Sequence, residues 1–339
     1  MATLEIETTA PREYETYRVS VEEYRRFRAQ GFLVVKGLVP PEDVAEMNTY
    51  MDDLLAGRRT VDGALAWKGI GEAKTDPKDW LRVHMLHRKS PTHEHFLLHP
   101  RTLDVLAALI GPDVLALQSM LFFKQPGQEG QGYHQDSYYI PTFPDTLCGA
   151  WLALTPATLE NGCLWYAVGS QHEPIYPDVG GTGAAMSANL GDLGTIQHAS
   201  HTDLELNGLS RVVRKYEGQA VPVEAEPGDV VFFGGHVIHW SLTNNGATPR
   251  RSYVGHYCNA RSVVPWNHGQ PWEGEFGNYL HILARGDTHL PYAQPKFGTP
   301  CAANAPRPTK GAGQPASMMG MDDGNMGEMP HGSEDDHDD

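Results

Sequence analysis

Between positions 114 and 258 the chain is cut into short runs rich in β-branched and aromatic residues, at 114–124, 133–140, 148–155, 163–168, 220–224, 229–234, 237–243 and 250–258. Gly, Pro, Asn or Asp bounds each run. Runs of that length, punctuated so often, suit strands and exclude long helices, and eight of them predict an antiparallel barrel or jelly roll. Helical signals lie mostly before this region. Ser20-Val21-Glu22-Glu23 is a capping box, with Tyr24 and Phe27 expected on one helical face before Gly31 stops the helix. A short strand is expected within 31–37. Pro40-Pro41-Glu42-Asp43 opens a second helix carrying Val44, Met47, Met51, Leu54 and Leu55 at amphipathic spacing. A third spans Pro100 to Ile110, where Leu103, Leu106, Ala107 and Ile110 share a face. The expected fold is mainly β with flanking helices.

The chain divides into a loose lead-in over 1–18, one large domain over 19–305, and a low-complexity acidic tail over 306–339, expected to be disordered. The net charge of -16 argues against nucleic acid and anionic membrane as partners. Half of that excess sits in 311–339, where there are eight acidic residues and no Lys or Arg. No apolar run is long enough to span a bilayer, and the first residues lack a signal-peptide pattern. Cys148, Cys163, Cys258 and Cys301 form no C-x-x-C pair and read as reduced thiols, so the expected location is cytoplasmic.

His134-Gln135-Asp136 lies within one of the strand-like runs. Alternate residues of a strand face the same way, so the imidazole and the carboxylate would converge while Gln135 faces away. A third ligand can come from His236 or His239, about a hundred residues on. Gly234-Gly235 places His236 in a turn, and His239 shares a strand face with Val237 and Ser241, so His239 is favoured. Two His and one carboxylate leave one face of an octahedral ion open, an arrangement suited to non-haem Fe(II) and O2. Asn244-Asn245-Gly246 reads as a turn, and a hairpin across it would pair the strand of His239 with that of Arg250. Arg250 would then offer a planar, permanently charged fork to the carboxylate of an acidic co-substrate, with Ser241 adding a hydroxyl. Two competing readings are a non-catalytic binding protein on the same barrel and a cupin-type metal enzyme that needs no co-substrate. A surface role for the Arg250-Arg251 pair also stays open on spacing alone. His84, His87, His93, His95 and His99 crowd one stretch, read as a solvated or packed face rather than a second metal site.

Further blocks flank these residues. They include Tyr24-Arg25-Arg26-Phe27 with Gly31-Phe32-Leu33-Val34-Val35, Ile110-Gly111-Pro112, Phe122-Phe123-Lys124-Gln125-Pro126-Gly127, Trp151-Leu152-Ala153-Leu154, Glu160-Asn161-Gly162-Cys163-Leu164, Gly228-Asp229-Val230-Val231-Phe232-Phe233 and Ile238-His239-Trp240-Ser241. In this order and spacing, over roughly residues 20–260, the chain resembles the phytanoyl-CoA dioxygenase-like branch of the Fe(II)/2-oxoglutarate oxygenases. The resemblance implies a double-stranded β-helix core (jelly-roll, cupin-like), with His134, Asp136 and His239 as ligands of Fe(2+). It implies Arg250 and Ser241 at the far carboxylate of 2-oxoglutarate, and Lys124, Gln118 and Trp151 lining that pocket. It also implies O2 as oxidant and a small-molecule substrate hydroxylated with release of succinate and CO2. Asp136 speaks for hydroxylation, because related halogenases have a neutral Gly or Ala there. Trp240 departs from the Gly more usual after the distal His. The substrate is expected against 170–212 and against Trp80-Leu81-Arg82-Val83-His84.

Overall fold

In the computed structural model, residues 12–56, 58, 65–67, 82–176, 204, 208–264, 281–290, 293 and 295 are described. Most of 170–212, the greater part of the chain after 265, Cys301 and the acidic tail lie outside them.

Ser20 starts the first helix, α1 (Val21–Gln30), as the capping box requires. Its hydroxyl accepts the Glu23 N–H at 3.2 Å, and the Glu23 carboxylate accepts the Ser20 N–H at 2.7 Å. Gly31, at φ 83°, ends the helix in a left-handed conformation that a side chain disfavours. Only Phe27 is buried; Tyr24, expected on the same face, is exposed, because a ten-residue helix against one edge of the sheet covers a narrow stripe. Ser20→Ala should lower stability by about 1 kcal/mol, read as a shifted urea midpoint with an unchanged slope. Next come β1 (Phe32–Val35) and α2 (Pro41–Leu55), which buries Val44, Met47, Met51 and Leu54. The short α3 (Pro91–Leu97) and then α4 (Pro100–Ile110) follow, with Leu103 and Leu106 fully buried.

The remaining strands are β2 (Leu65–Trp67), β3 (Arg82–His84), β4 (Val114–Lys124), β5 (Cys148–Ala153), β6 (Leu164–Ala167), β7 (Ala220–Val223), β8 (Val230–Gly234), β9 (His239–Ser241), β10 (Arg250–Asn259) and β11 (Ile282–Arg285). They form two antiparallel sheets. The larger runs β1-β8-β5-β10-β4-β3-β2, with β11 also on β4, and the smaller runs β7-β6-β9. Strand alternation separates two cores. On one face of the large sheet, Leu33, Val35, Leu121, Phe123, Leu152, Phe232 and Tyr253 pack against the helices. On the other, Phe32, Trp151, Val231, Phe233 and Val254 meet Leu164, Tyr166 and Val223 of the small sheet. This is the expected jelly roll, with a functional site available between its sheets.

Two local expectations change. The run 133–140 is not a strand: His134 makes a single bridge to His239, and Asp136–Tyr139 closes a helical turn, α5, with the Ile140 N–H on the Asp136 carbonyl at 3.0 Å. The Ser137 N–H is taken by the Gly235 carbonyl at 3.0 Å, which pulls the backbone out of any ladder. Nor do β9 and β10 form a hairpin, since they belong to different sheets. Residues 242–249 cross between the layers, and Asn244 holds the crossing. Its side-chain amide donates to the Lys124 and Thr248 carbonyls at 2.9 and 3.0 Å, and its side-chain oxygen accepts the Gly246 N–H at 2.9 Å. In the histidine-rich stretch His87, His93 and His99 are buried, with His87 Nδ1 2.8 Å from Ser119 Oγ and His99 Nε2 3.1 Å from Asp43. That stretch is a packed face.

Candidate metal centre and carboxylate pocket

The bridge between His134 and His239 is the foundation of the site. Each N–H donates to the other's carbonyl at 3.1 Å, so the imidazoles become cross-strand neighbours with ring centroids 4.1 Å apart. His134 Nδ1 faces the Gly132 carbonyl at 2.7 Å and His239 Nδ1 faces the Val237 carbonyl at 3.1 Å. A carbonyl only accepts, so both rings carry the proton on Nδ1 and present a bare Nε2. Tyr166 stacks against the His239 ring at 5.6 Å and Phe233 packs at 4.8 Å, which fixes its rotamer.

The α5 turn, rather than strand alternation, returns Asp136 to the same point. Its Oδ1 lies 3.6 Å from His134 Nε2 and 3.8 Å from His239 Nε2. Among the described residues, these three are the one His/Cys/Asp/Glu group whose ligand atoms lie close enough together, within 4.8 Å, to hold a metal ion. Burial holds the imidazoles neutral, with His134 pushed down to about 3. Burial alone would raise the Asp136 carboxyl, but its histidine surroundings, with the His256 N–H on Oδ2, bring it below the usual carboxylate range. Two neutral imidazoles and one carboxylate are the donor set a divalent ion requires. Donors about 2.1 Å from an octahedral ion stand about 3 Å apart, so small side-chain rotations close the triad on a metal.

His236, the rejected alternative, is turned away, with Nε2 on Asp145 at 2.8 Å and Nδ1 on the Glu173 carbonyl at 2.9 Å. Gln135 also faces away, donating to the His236 and Pro174 carbonyls.

Behind the triad stands His256, which sequence reasoning missed. Its Nε2 is 2.8 Å from Asp136 Oδ2 and its Nδ1 is 3.2 Å from Gln118 Nε2. The ionised carboxylate accepts only, so Nε2 carries the hydrogen and Nδ1 accepts from the Gln118 amide. Gln118, expected to line the carboxylate pocket, has its amide on His256 behind the triad. With Oδ2 engaged, Asp136 has Oδ1 left for a metal.

The pocket begins two residues along β9 from His239, about 7 Å. Arg250, Lys124, Ser241 and Trp151 meet there. β10 sets Arg250 opposite Lys124 on β4. The Arg250 guanidinium is 3% exposed, lies 5.6 Å from the Trp151 ring centroid, and donates one N–H to the Gly162 carbonyl. Burial lowers its pKa to about 10, which leaves it charged at neutral pH. Among the described residues, no carboxylate pairs with it. Its Nε is buried and unpartnered, as is the hydroxyl of Ser252, two residues along the same strand face. Two orphaned donors on one wall fit the oxygens of an anionic ligand. Ser241, the hydroxyl expected here, is already engaged by the Gln131 N–H at 3.1 Å and by Lys124 Nζ at 3.3 Å. Lys124 is driven down to about 6 by burial and by the neighbouring Arg250 charge, and it also donates to the Leu242 carbonyl. Gly162 permits this packing. At φ 76°, a Cβ there would sit 2.3 Å from the Leu242 carbonyl oxygen and 2.7 Å from Lys124 Nζ.

Comparison with known proteins places this geometry. Phytanoyl-CoA dioxygenase domain-containing protein 1 of Danio rerio is 25% identical over 282 residues, covering 72% of this chain and 91% of its own length. Phytanoyl-CoA dioxygenase 1 of Oryza sativa subsp. japonica is 27% identical over 263 residues, covering 68% of this chain and 86% of its own. Among solved structures, EctD from S. alaskensis with bound Fe superposes with a TM-score of 0.57 at 19% identity, over 75% of this chain and 82% of that one. The non-heme alpha ketoglutarate dependent carbocyclase SnoK from nogalamycin biosynthesis gives 0.54 at 21% identity, over 72% and 86%. These two show a shared fold. The phytanoyl-CoA dioxygenase (PhyH) family model matches residues 27–252, a span that encloses the triad, Lys124, Arg250 and Ser252, and the chain belongs to that family.

Proposed function

We propose that this chain is an Fe(II)- and 2-oxoglutarate-dependent dioxygenase that hydroxylates an unactivated C–H bond of a small-molecule substrate. The observation that carries this reading is the two-His, one-carboxylate cluster together with a buried arginine whose Nε has no partner. His134, Asp136 and His239 would hold the iron, and Arg250 with Ser252 would hold the far carboxylate of the co-substrate. Bound together, Fe(II) and 2-oxoglutarate supply the oxidising power for O2-dependent hydroxylation, with succinate and CO2 as co-products. The protein's own work is positional. The Nδ1–H···O=C bonds aim both imidazoles, His256 aims Asp136, and the inter-sheet core keeps water from the pocket. Asp136, a carboxylate where a neutral residue would open a place for halide, supports hydroxylation. Among the described residues, Cys148, Cys163 and Cys258 are buried free thiols, and no helix is long and apolar enough to cross a membrane. The thiols support a reducing cytoplasmic setting, and the acidic balance supports a small molecule over nucleic acid as partner.

The test is conversion of 2-oxoglutarate. Succinate release should require both Fe(II) and O2, proceed slowly without substrate, and stop with a chelator. Strictly no succinate under any condition contradicts the reading. His256 gives a finer check. His256→Phe should weaken Fe(II) or Co(II) binding by about 10- to 100-fold, the usual cost of losing an outer hydrogen bond to a ligand. His256→Gln, which can still donate to Asp136, should recover part of that loss in a metal titration.

A further inference from the structure

Arg82 is a cation with no carboxylate partner among the described residues, on the strand next to β4. β3 pairs with β4 so that Arg82 lies opposite Phe122 and His84 opposite Met120. Phe122 and Met120 pack in the inter-sheet core, whereas Val83 belongs to the core beneath the helices. Alternation therefore turns Arg82 and His84 toward the space between the sheets. His84 reaches Gln118 there, and burial followed by the Arg82 charge pushes its imidazole down to about 3. Arg82 approaches Tyr139. The Tyr139 ring is 6.4 Å from the His134 ring and is 38% exposed, so this corner is where the site opens to solvent.

The half-buried Arg82 guanidinium is desolvated, which lowers its pKa, and Tyr139 is the one group acting in the other direction. No carboxylate among the described residues pairs with it. The rest of the proposed site balances: a dication faces the Asp136 anion and a dianionic co-substrate, Arg250 offsets one of those charges, and Lys124 is drawn toward neutrality. Arg82 is the charge left over. A guanidinium that is partly desolvated and has no carboxylate partner among the described residues gains from an anion docking on it, and its planar fork matches a carboxylate or phosphate.

From this placement we infer that Arg82 is a substrate-specificity residue, and that the substrate carries a carboxylate or phosphate group which Arg82 holds beside the open face of the metal. The inference rests on the Fe(II)/2-oxoglutarate reading above.

The experiment uses the full chain loaded anaerobically with Fe(II) and 2-oxoglutarate, titrated with hexanoate, hexyl phosphate and hexanamide. The readouts are the change in the visible chelate band and the thermal unfolding midpoint. One or both anions should bind roughly tenfold or more tighter than the neutral amide, as charge-assisted pairing implies. The tighter of the two anions identifies the group. Arg82→Gln should abolish the preference and Arg82→Lys should retain part of it. The chelate band, which depends on residues of β9, β10 and the 134–136 segment, reports that each variant is folded. Equal binding of anion and amide, no anion binding, or a preference that survives in Arg82→Gln overturns the inference. If the chelate band never forms in the parent protein, the reading beneath it has failed instead, and the inference falls with it.

Discussion

Arg250→Ala should raise the dissociation constant for 2-oxoglutarate by about two orders of magnitude or more, with Fe(II) affinity unchanged. The guanidinium is buried, charged, steadied by Trp151 and the Gly162 carbonyl, and left with an unpaired Nε. Removing one partner of a desolvated, hydrogen-bonded charge pair costs roughly 2–5 kcal/mol, and about 1.4 kcal/mol corresponds to each tenfold. Arg250→Lys should recover little, because an ammonium is a point charge and loses the fork. Ser252→Ala should cost less, about 1 kcal/mol for a single hydroxyl hydrogen bond. Isothermal titration of the metal-loaded protein with 2-oxoglutarate measures all three. The expected order, Arg250→Ala worst and Ser252→Ala mildest, separates a carboxylate receptor from a structural arginine. A structural arginine would lower the unfolding midpoint and leave the co-substrate constant in place.

Asp136→Ala should have the second large effect, a loss of Fe(II) affinity of about two to three orders of magnitude. Structural metal sites with four ligands bind with roughly 10–16 kcal/mol, so one ligand is worth about 3–4 kcal/mol. The substitution also strands His256, whose Nε2–H loses its acceptor at a buried position. Asp136→Ala should therefore be worse than the loss of one donor alone. Asp136→Asn, which keeps an oxygen for His256 but not the charge, should fall between. Co(II) absorption or Fe(II) equilibrium dialysis gives the constants directly, without any turnover assay.

His239 and Arg250 were legible in the sequence because they lie on strands, whereas His134 and Asp136 come together through a single bridge and a helical turn. Gly234-Gly235 placed His236 in a turn, and His239 followed within the next strand. Arg250 was legible as the start of a β-branched, aromatic run. The errors were of connection. Asn244-Asn245-Gly246 has the composition of a hairpin turn, yet the Asn244 side chain binds Lys124 and Thr248 and holds a crossing between layers. Local composition cannot distinguish a two-strand turn from a layer crossing, because both need the same polar, flexible residues. The 133–140 run was misread for a related reason: tyrosines favour strands, but the Ser137 N–H goes to the distant Gly235 carbonyl and the Ile140 N–H closes on the Asp136 carbonyl, tertiary and turn bonds that composition does not reveal. His256 and Ser252 left a signal that could have been used. Read along β10, Arg250, Ser252 and His256 share one face, whereas Arg251 turns the other way to pair with Asp52. Arg82 lay within the 80–84 segment expected to face the substrate, but its particular part could not be read without knowing which groups it lacks as partners.

The most direct measurement is anaerobic mixing of Fe(II) and 2-oxoglutarate with the protein, followed by visible spectroscopy. A weak charge-transfer band should form with the parent chain, fail to form with His134→Ala, and be lost at matched 2-oxoglutarate concentration with Arg250→Ala. No band in the parent, or a band that persists in both variants, contradicts the assignment of this site.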